Sequence, residues 1–463
     1  VTEVILEDIL TAKENRRLRQ IALIDRYGLP VVSITLTIPG SVKDSPVLRC
    51  LRDYGVEKIK GCCDVVATEE INSFTGPEAL LAVRQEAGSL KRLVSRVEEE
   101  QSFGRLLDMD VLDERGASVA CAERGIGRSC LLCGRPAVVC MREQTHPAEE
   151  LRSAVENLLN RFKAHQAHRT GLLAEKLGEL ALEAMLFEVA CTPSPGLVDR
   201  NNSGAHMDMD FFTFLSSSAS LAQTMACCAQ AGLNHNGPLP DLLPVLRLIG
   251  REGEQRMLEA TGGVNTQKGL LFALGVVVAV SGWLLRESGQ PDVPSVFEAV
   301  AASTEGIVAR ELATAANKRE NQRTAGERLY LTWGVTGIRG EMEAGIPAVR
   351  ERALPVLKHA LAGGLNPNDA LVHTLLELMT CVEDTTVMNR HDPDKLRQWA
   401  RQKAARFLAD GGMEQPSARQ KAEELDKEFI AHNVSCGGAA DLLAVTWFLY
   451  RFAGLGQKNG TDA

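Results

Sequence analysis

Apolar positions follow two different periods in two stretches of the chain. In the first, short runs of strand character alternate with helical ones. Residues 30–38 are rich in Val, Ile and Thr and end in Pro39-Gly40, which predicts a strand closed by a turn. Residues 46–54 predict a helix, 61–68 and 79–83 two more strands, and 90–100 an amphipathic helix. Residues 106–112 and 117–122 predict a hairpin turning on Asp113-Glu114-Arg115-Gly116. From Ala148 onward the helical period takes over. Helices are predicted over 149–165, 170–190, 210–231, 240–259, 270–286, 296–316, 346–362, 366–381, 396–410, 418–432 and 438–452. The expected architecture is two domains: an α/β (α+β) domain over residues 1–168 and an all-α domain over residues 169–463.

Composition narrows the classes. A net charge of -9 argues against a broad nucleic-acid surface, and 5% aromatic residues argue against stacking platforms for single strands. The most apolar stretch, residues 270–285, is short for a membrane span and contains Gly275 and Gly282, so it reads as a buried helix. Residues 1–25 mix acids and bases without a signal-peptide core. The expected compartment is the cytoplasm, where the 12 cysteines would be thiols or metal ligands.

In the first stretch, Asp108 and Asp110 share one face of a predicted apolar strand, because side chains alternate. Paired carboxylates there are costly without a cation, and Mg²⁺ with phosphates is the usual answer. Such D-x-D strands hold metals for in-line displacement at phosphorus in nucleotidyltransferase-like folds, and Arg105 is placed to meet a phosphate. The alternative is an edge strand with solvated acids. Cys130, Cys133, Cys140 and His146 have the ligand types and the first-pair spacing of a closed, structural Zn²⁺ site, against a reading as buried thiols and a surface histidine.

In the second stretch, residues 260–269 put Gly262, Gly263, Asn265, Thr266 and Lys268 just before an apolar helix. Glycines allow close backbone approach, a helix start attracts anions, and lysine adds a point charge, so the segment reads as a polyphosphate cradle without P-loop spacing. The bland reading is a glycine-rich turn with a solvated lysine. Residues 188–210 form a long polar break holding Asp199, His206, Asp208 and Asp210; Asp199 and Asp208 are candidate Mg²⁺ ligands, and Asp210 a helix cap. Residues 334–345 carry Arg339, Glu341 and Glu343 among glycines. Residues 383–390 end a predicted helix in Glu383 and Asp384, against its dipole, and Gly437-Gly438 offers a further anion site. Five polar, glycine-marked breaks in one all-α domain jointly favour a phosphate- and metal-binding pocket.

These segments carry a resemblance. CTPSPGLVDRNNSGAHMDMDFFTF, ATGGVNTQKG, GIRGEMEAGIP, EDTTVMNR and SCGGAADLLAVT resemble the triphosphoribosyl-dephospho-CoA synthase family over residues 175–455. VSITLTIPGSVKDS, FGRLLDMDV and CLLCGRPAVVCMREQTH resemble the citrate lyase holo-acyl-carrier-protein synthase family over residues 5–165. The resemblance implies a bifunctional transferase. One domain would join ATP and 3'-dephospho-CoA into 2'-(5''-triphosphoribosyl)-3'-dephospho-CoA and release adenine. The other would transfer that group to a serine of the citrate lyase acyl carrier protein and release diphosphate. Lys268 and the Gly262-Gly263 backbone would then hold the triphosphate, Glu341 or Asp384 would act on the ribose chemistry, and Asp108 and Asp110 with Mg²⁺ would serve the transfer.

The sequence departs from the family pattern in three places: Gln267 stands where His is usual, Thr386 where Asn is, and Cys436 where Pro is. Gln267 can hydrogen-bond but carry no charge, so it is expected to bind rather than to transfer protons. The competing readings are the same chemistry serving malonate decarboxylase, a zinc-containing scaffold that only binds the carrier, and a hydrolase of N-ribosides.

Overall fold

The computed structural model describes residues 4–120, 129–391 and 395–456. The chain divides into two units, Val1–Arg169 and Thr170–Ala463.

The first unit begins with α1 (Leu6–Tyr27), β1 (Val31–Leu36), α2 (Pro46–Cys62), β2 (Val65–Ser73), β3 (Gly76–Val83), α3 (Ala87–Glu100), β4 (Leu107–Leu112) and α4 (Ala137–Arg142). The strands form one antiparallel sheet in the order β2-β3-β1-β4, which makes the unit α+β rather than α/β. β3 reads as a continuous apolar run because the central strand is covered on both faces. Val32, Ile34 and Leu81 pack with Leu51 and Tyr54 of α2, Leu90 and Val94 of α3, and Phe162. Ile24 of α1 closes the opposite face with Val31, Leu80 and Leu112. α1 escapes the sequence reading, since its apolar positions Leu6, Leu10 and Leu18 lie exposed. The strand expected over 61–68 starts at Val65, because α2 runs on to Cys62. Beyond β4 the expected hairpin is reduced to an isolated bridge, Leu112 to Ser118, and the end of its second strand, 121–122, lies outside the described residues.

Helix α5 (Ala148–Ala190) passes the division between the units as one continuous element of 43 residues. The second unit continues with α6 (Phe211–Asn234), α7 (Leu242–Ala260), α8 (Lys268–Ser288), α9 (Val293–Thr304), α10 (Ala325–Trp333), α11 (Gly337–Glu343), α12 (Leu354–Ala362), α13 (Pro367–Cys381), α14 (Thr385–Arg390), α15 (Arg401–Ala409), α16 (Ala418–Ala431) and α17 (Gly437–Ala453). Among the described residues this unit has no strand. α8 is its axis. It is long and apolar enough to cross a membrane, yet it is wrapped by α6, α7, α9 and α17. Its approach to α6 requires a bare backbone: a Cβ on Gly232 would stand 1.7 Å from the Ala279 carbonyl oxygen.

Two expectations need correction. The helix expected over 296–316 ends at Thr304, because Gly306 takes a left-handed conformation and the chain resumes as short π- and 3-10-helical turns. Residues 337–343, read as part of a loop, form the helix α11.

Candidate active sites

In the first unit, Asp108 and Asp110 sit on β4, an edge of the sheet, opposite Thr35 and Ser33 of β1. Both point to the face that carries Leu112 and α1, with Met109 buried on the other. Asp110 is open to solvent and lies 3.8 Å from Lys91. Arg105 is exposed, and its Nη2 donates to the carbonyls of Ser129 (3.1 Å) and Cys130 (2.6 Å), which ties it to the cysteine segment.

That segment forms a cluster. The ligand atoms of Cys130, Cys133, Cys140 and His146 all lie within 4.8 Å of one another. Cys133 Sγ is 3.4 Å from Cys140 Sγ and 3.3 Å from His146 Nε2. Four ligands on bonds of about 2.3 Å around tetrahedral zinc are about 3.8 Å apart, so small outward shifts would seat the ion. The backbone N–H at Arg135, then His146 and Cys140, push the Cys133 thiol down to about 6, toward the thiolate that binds metal.

In the second unit, all five polar breaks line one cavity of about 700 Å³. Three helices longer than two turns, α8, α10 and α17, begin at its wall, so their positive dipole ends make it a place for a polyanion. Asn265, Thr266 and Lys268 line it, as do Arg339, Glu341, Gly437 and Gly438. Lys268 pairs with Glu254, and Arg339 with Glu311 at 2.8 Å. Glu341 accepts from Ala348 N–H, and burial pushes its carboxyl above the usual range. Asp208 lines the cavity and is exposed; its neighbour His206 bonds Ser435 Oγ at 2.8 Å and meets Arg390 at 3.2 Å. Burial, then the Arg390 charge, hold the His206 imidazole below its usual value, so it is neutral near pH 7.

Three sequence assignments change. Gly262 and Gly263 turn the chain with φ of 66° and 93° but do not line the cavity; the cradle starts at Asn265. Asp199 is buried, and its oxygens accept the backbone N–H groups of Ser194, Asn201 and Asn202, so it folds its own loop and is not placed as an open metal ligand. Asp384 does not end a helix. It caps α14 through Thr386 and Val387 N–H and also accepts Ala439 N–H at the start of α17, so its carboxylate is a clasp between two helices. Asp426 was missed altogether: it holds the 188–210 segment through Gly196 N–H and Asn202. Gln267 is buried; its Oε1 accepts from Ser217 at 2.7 Å, and its Nε2 has no hydrogen-bond partner among the described residues.

A helical pocket built from helix starts, basic side chains and buried carboxyls, in one chain with an acid-bearing antiparallel sheet, is a setting that suits a transferase acting on phosphorylated substrates. The comparisons make it particular. Residues 174–460 match the family described as "ATP:dephospho-CoA triphosphoribosyl transferase", and residues 4–162 match "Apo-citrate lyase phosphoribosyl-dephospho-CoA transferase". The chain belongs to these two families, joined in one polypeptide. It is 31% identical to Protein CitXG of Leuconostoc mesenteroides subsp. cremoris over 97% of both chains. It is 32% identical to Protein CitXG of Haemophilus influenzae over 98% of this chain and 97% of the relative. The 2-(5''-triphosphoribosyl)-3'-dephosphocoenzyme-A synthase of Pectobacterium atrosepticum is 42% identical over 58% of this chain and 86% of its own length.

Proposed function

We infer that this chain makes the citrate lyase prosthetic group and attaches it to the acyl carrier protein of that enzyme. The second unit joins ATP to 3'-dephospho-CoA and releases adenine; the first transfers the product to a carrier serine with loss of diphosphate. The observation that carries this is the pairing of both families in one chain, matched end to end by full-length relatives. The malonate decarboxylase reading loses ground because the first unit matches a citrate lyase family.

The cavity suits the first reaction. The triphosphate survives it, so it serves as a handle for the starts of α8, α10 and α17 with Asn265, Thr266, Lys268 and Arg339. Glu341 stands in the same wall, where a carboxylate stabilises an oxocarbenium-like centre. Asp208 is the acid with open oxygens for a Mg²⁺ brought in by ATP.

The first unit suits the second reaction as a nucleotidyltransferase-like site. Asp108 and Asp110, on one face of an edge strand, would hold Mg²⁺, which neutralises charge at the transferring phosphorus. The thiol–imidazole cluster holds a structural zinc and thereby fixes the segment that receives Arg105.

The test is a mass spectrum of products from the purified chain with ATP, 3'-dephospho-CoA and Mg²⁺, then with apo carrier protein. Adenine, a triphosphoribosyl adduct and a carrier gaining phosphoribosyl-dephospho-CoA are expected. Intact ATP from folded protein would overturn the first assignment, and an unmodified carrier given the adduct would overturn the second.

A further inference from the structure

We propose that the side-chain amide of Gln267 is a fixed hydrogen-bond donor to the triphosphate of ATP. This deepens the synthase reading of the second unit and rests on it.

Gln267 stands just before α8, at the position where a side chain commonly turns back to cap the first helical amides. Its side chain makes no such cap. It runs instead against α6, where Ser217 Oγ donates to its Oε1 at 2.7 Å and Ser218 Oγ at 3.3 Å. Thr266 Oγ1 donates in turn to Ser217 Oγ at 2.7 Å. A hydroxyl has one proton to give and lone pairs to receive another, so Ser217 accepts from Thr266 while it donates to Gln267. The two serines thus hold the carbonyl end of the amide on α6, and the nitrogen end is turned away from them.

That nitrogen is the anomaly. Gln267 is 2% exposed, yet its Nε2 has no acceptor among the described residues. A buried donor without a partner is destabilising, and a ligand that supplies the acceptor recovers the loss. Gln267 lines the cavity of the second unit, whereas Ser217 and Ser218 lie outside its wall. The unpartnered end of the amide is therefore the end toward the cavity. The terminal torsion of a glutamine is soft, so a small rotation brings the N–H to the cavity surface while Oε1 stays on Ser217.

The class of acceptor follows from the surroundings. α8 presents its positive dipole end here, which favours an anion. Nearby donors are already spent: the Lys268 N–H goes to Asn265 Oδ1 at 3.2 Å, and the Lys268 ammonium pairs with Glu254. Gln267 Nε2 is an uncommitted, uncharged donor in a positive field, and an anionic oxygen is the acceptor that suits it. The triphosphate is the anion that the reaction leaves intact. A contact to it is the same in the ground state and the transition state, so it contributes to binding and not to the rate of the chemical step.

The experiment follows adenine release by the full chain and by Gln267→Met, with ATP, dephospho-CoA and Mg²⁺, and with inorganic tripolyphosphate as a competing anion. The variant keeps the length of the side chain and loses the donor. The ATP KM and the Ki of tripolyphosphate are expected to rise together by roughly 10–100-fold, the range for a hydrogen bond to a charged group, with kcat and the dephospho-CoA KM within ~3-fold. An unchanged Ki would overturn the contact while leaving the synthase reading intact; if kcat fell at that unchanged Ki, the amide would serve the ribose or the adenine instead. No adenine from the wild type would overturn the synthase reading itself. If Gln267→Met fails to fold, a structure of the wild-type protein with tripolyphosphate decides: a phosphate oxygen within about 3.2 Å of Nε2 supports the contact, and an Nε2 without a phosphate partner overturns it.

Discussion

Asp384 separates two accounts of the second unit, and replacing it by Ala decides between them. In the structure its carboxylate accepts Thr386 N–H at 2.9 Å, Val387 N–H at 3.3 Å and Ala439 N–H at 3.0 Å. Loss of the α14 cap costs about 1 kcal/mol. The buried Ala439 amide left without an acceptor costs about 1–3 kcal/mol more. Removing the carboxylate also removes its own desolvation, which burial shows by raising its pKa above the usual range, and this offsets part of the loss. The two losses sum to roughly 2–4 kcal/mol before that offset, and the net expectation is roughly 1–3 kcal/mol of destabilisation. With a urea slope of about 3 kcal/mol/M for a large domain, the midpoint falls by roughly 0.3–1 M. All four tryptophans, Trp283, Trp333, Trp399 and Trp447, lie in the second unit, so tryptophan fluorescence follows that unit alone. Asp384→Asn should fall between, because its Oδ1 can still cap α14 while its amide nitrogen faces the Ala439 N–H. A midpoint in Asp384→Ala unchanged within ~0.2 M, together with lost adenine release, would refute the clasp and return Asp384 to the catalytic role its motif suggests.

Other outcomes follow from single contacts. Cys140→Ser should abolish a zinc content of about one ion per chain, measured on the purified protein, and should lower carrier attachment while sparing adenine release; zinc-free wild type with normal attachment would contradict this. Glu188 binds its proton more tightly when folded, so the stability it permits is complete below about 4.5 and is lost as pH rises toward about 8; Glu188→Gln should flatten that slope in urea titrations at several pH values. Gly232→Ala should destabilise the second unit by about 1–3 kcal/mol or more, since the added methyl meets the Ala279 carbonyl, and a wild-type midpoint would show that α6 and α8 are not so close.

The sequence made some levels of this protein plain and left others dark. β1, β4 and α3 announce themselves because one or both faces pack on a core and alternation or helical period follows. α1 is silent: its exposed leucines break the amphipathic pattern, and what fixes it is a polar link, Arg16 and Arg19 to Glu78 on β3, whose partners lie far apart in sequence. The cysteine cluster was legible because all four ligands fall within one short segment. The destination of Arg105 was not, since a guanidinium beside two acids suggests phosphate as readily as a neighbouring carbonyl.

Acid roles were the hardest to read, for a physical reason. A carboxylate in a polar motif is equally at home as a metal ligand, a helix cap or a proton carrier, and only its hydrogen-bond partners distinguish these. Asp199 and Asp384 looked reactive in sequence, yet backbone amides occupy their oxygens. Glu188 looked like the tail of a helix, and Asp441 like a polar residue inside one. Their burial at one cavity and the close approach of Gly269 to Asp441 exist only when α5, α8 and α17 meet. Backbone amides therefore sort part of these acids: Asp199 and Asp384, each surrounded by several N–H donors, hold the scaffold.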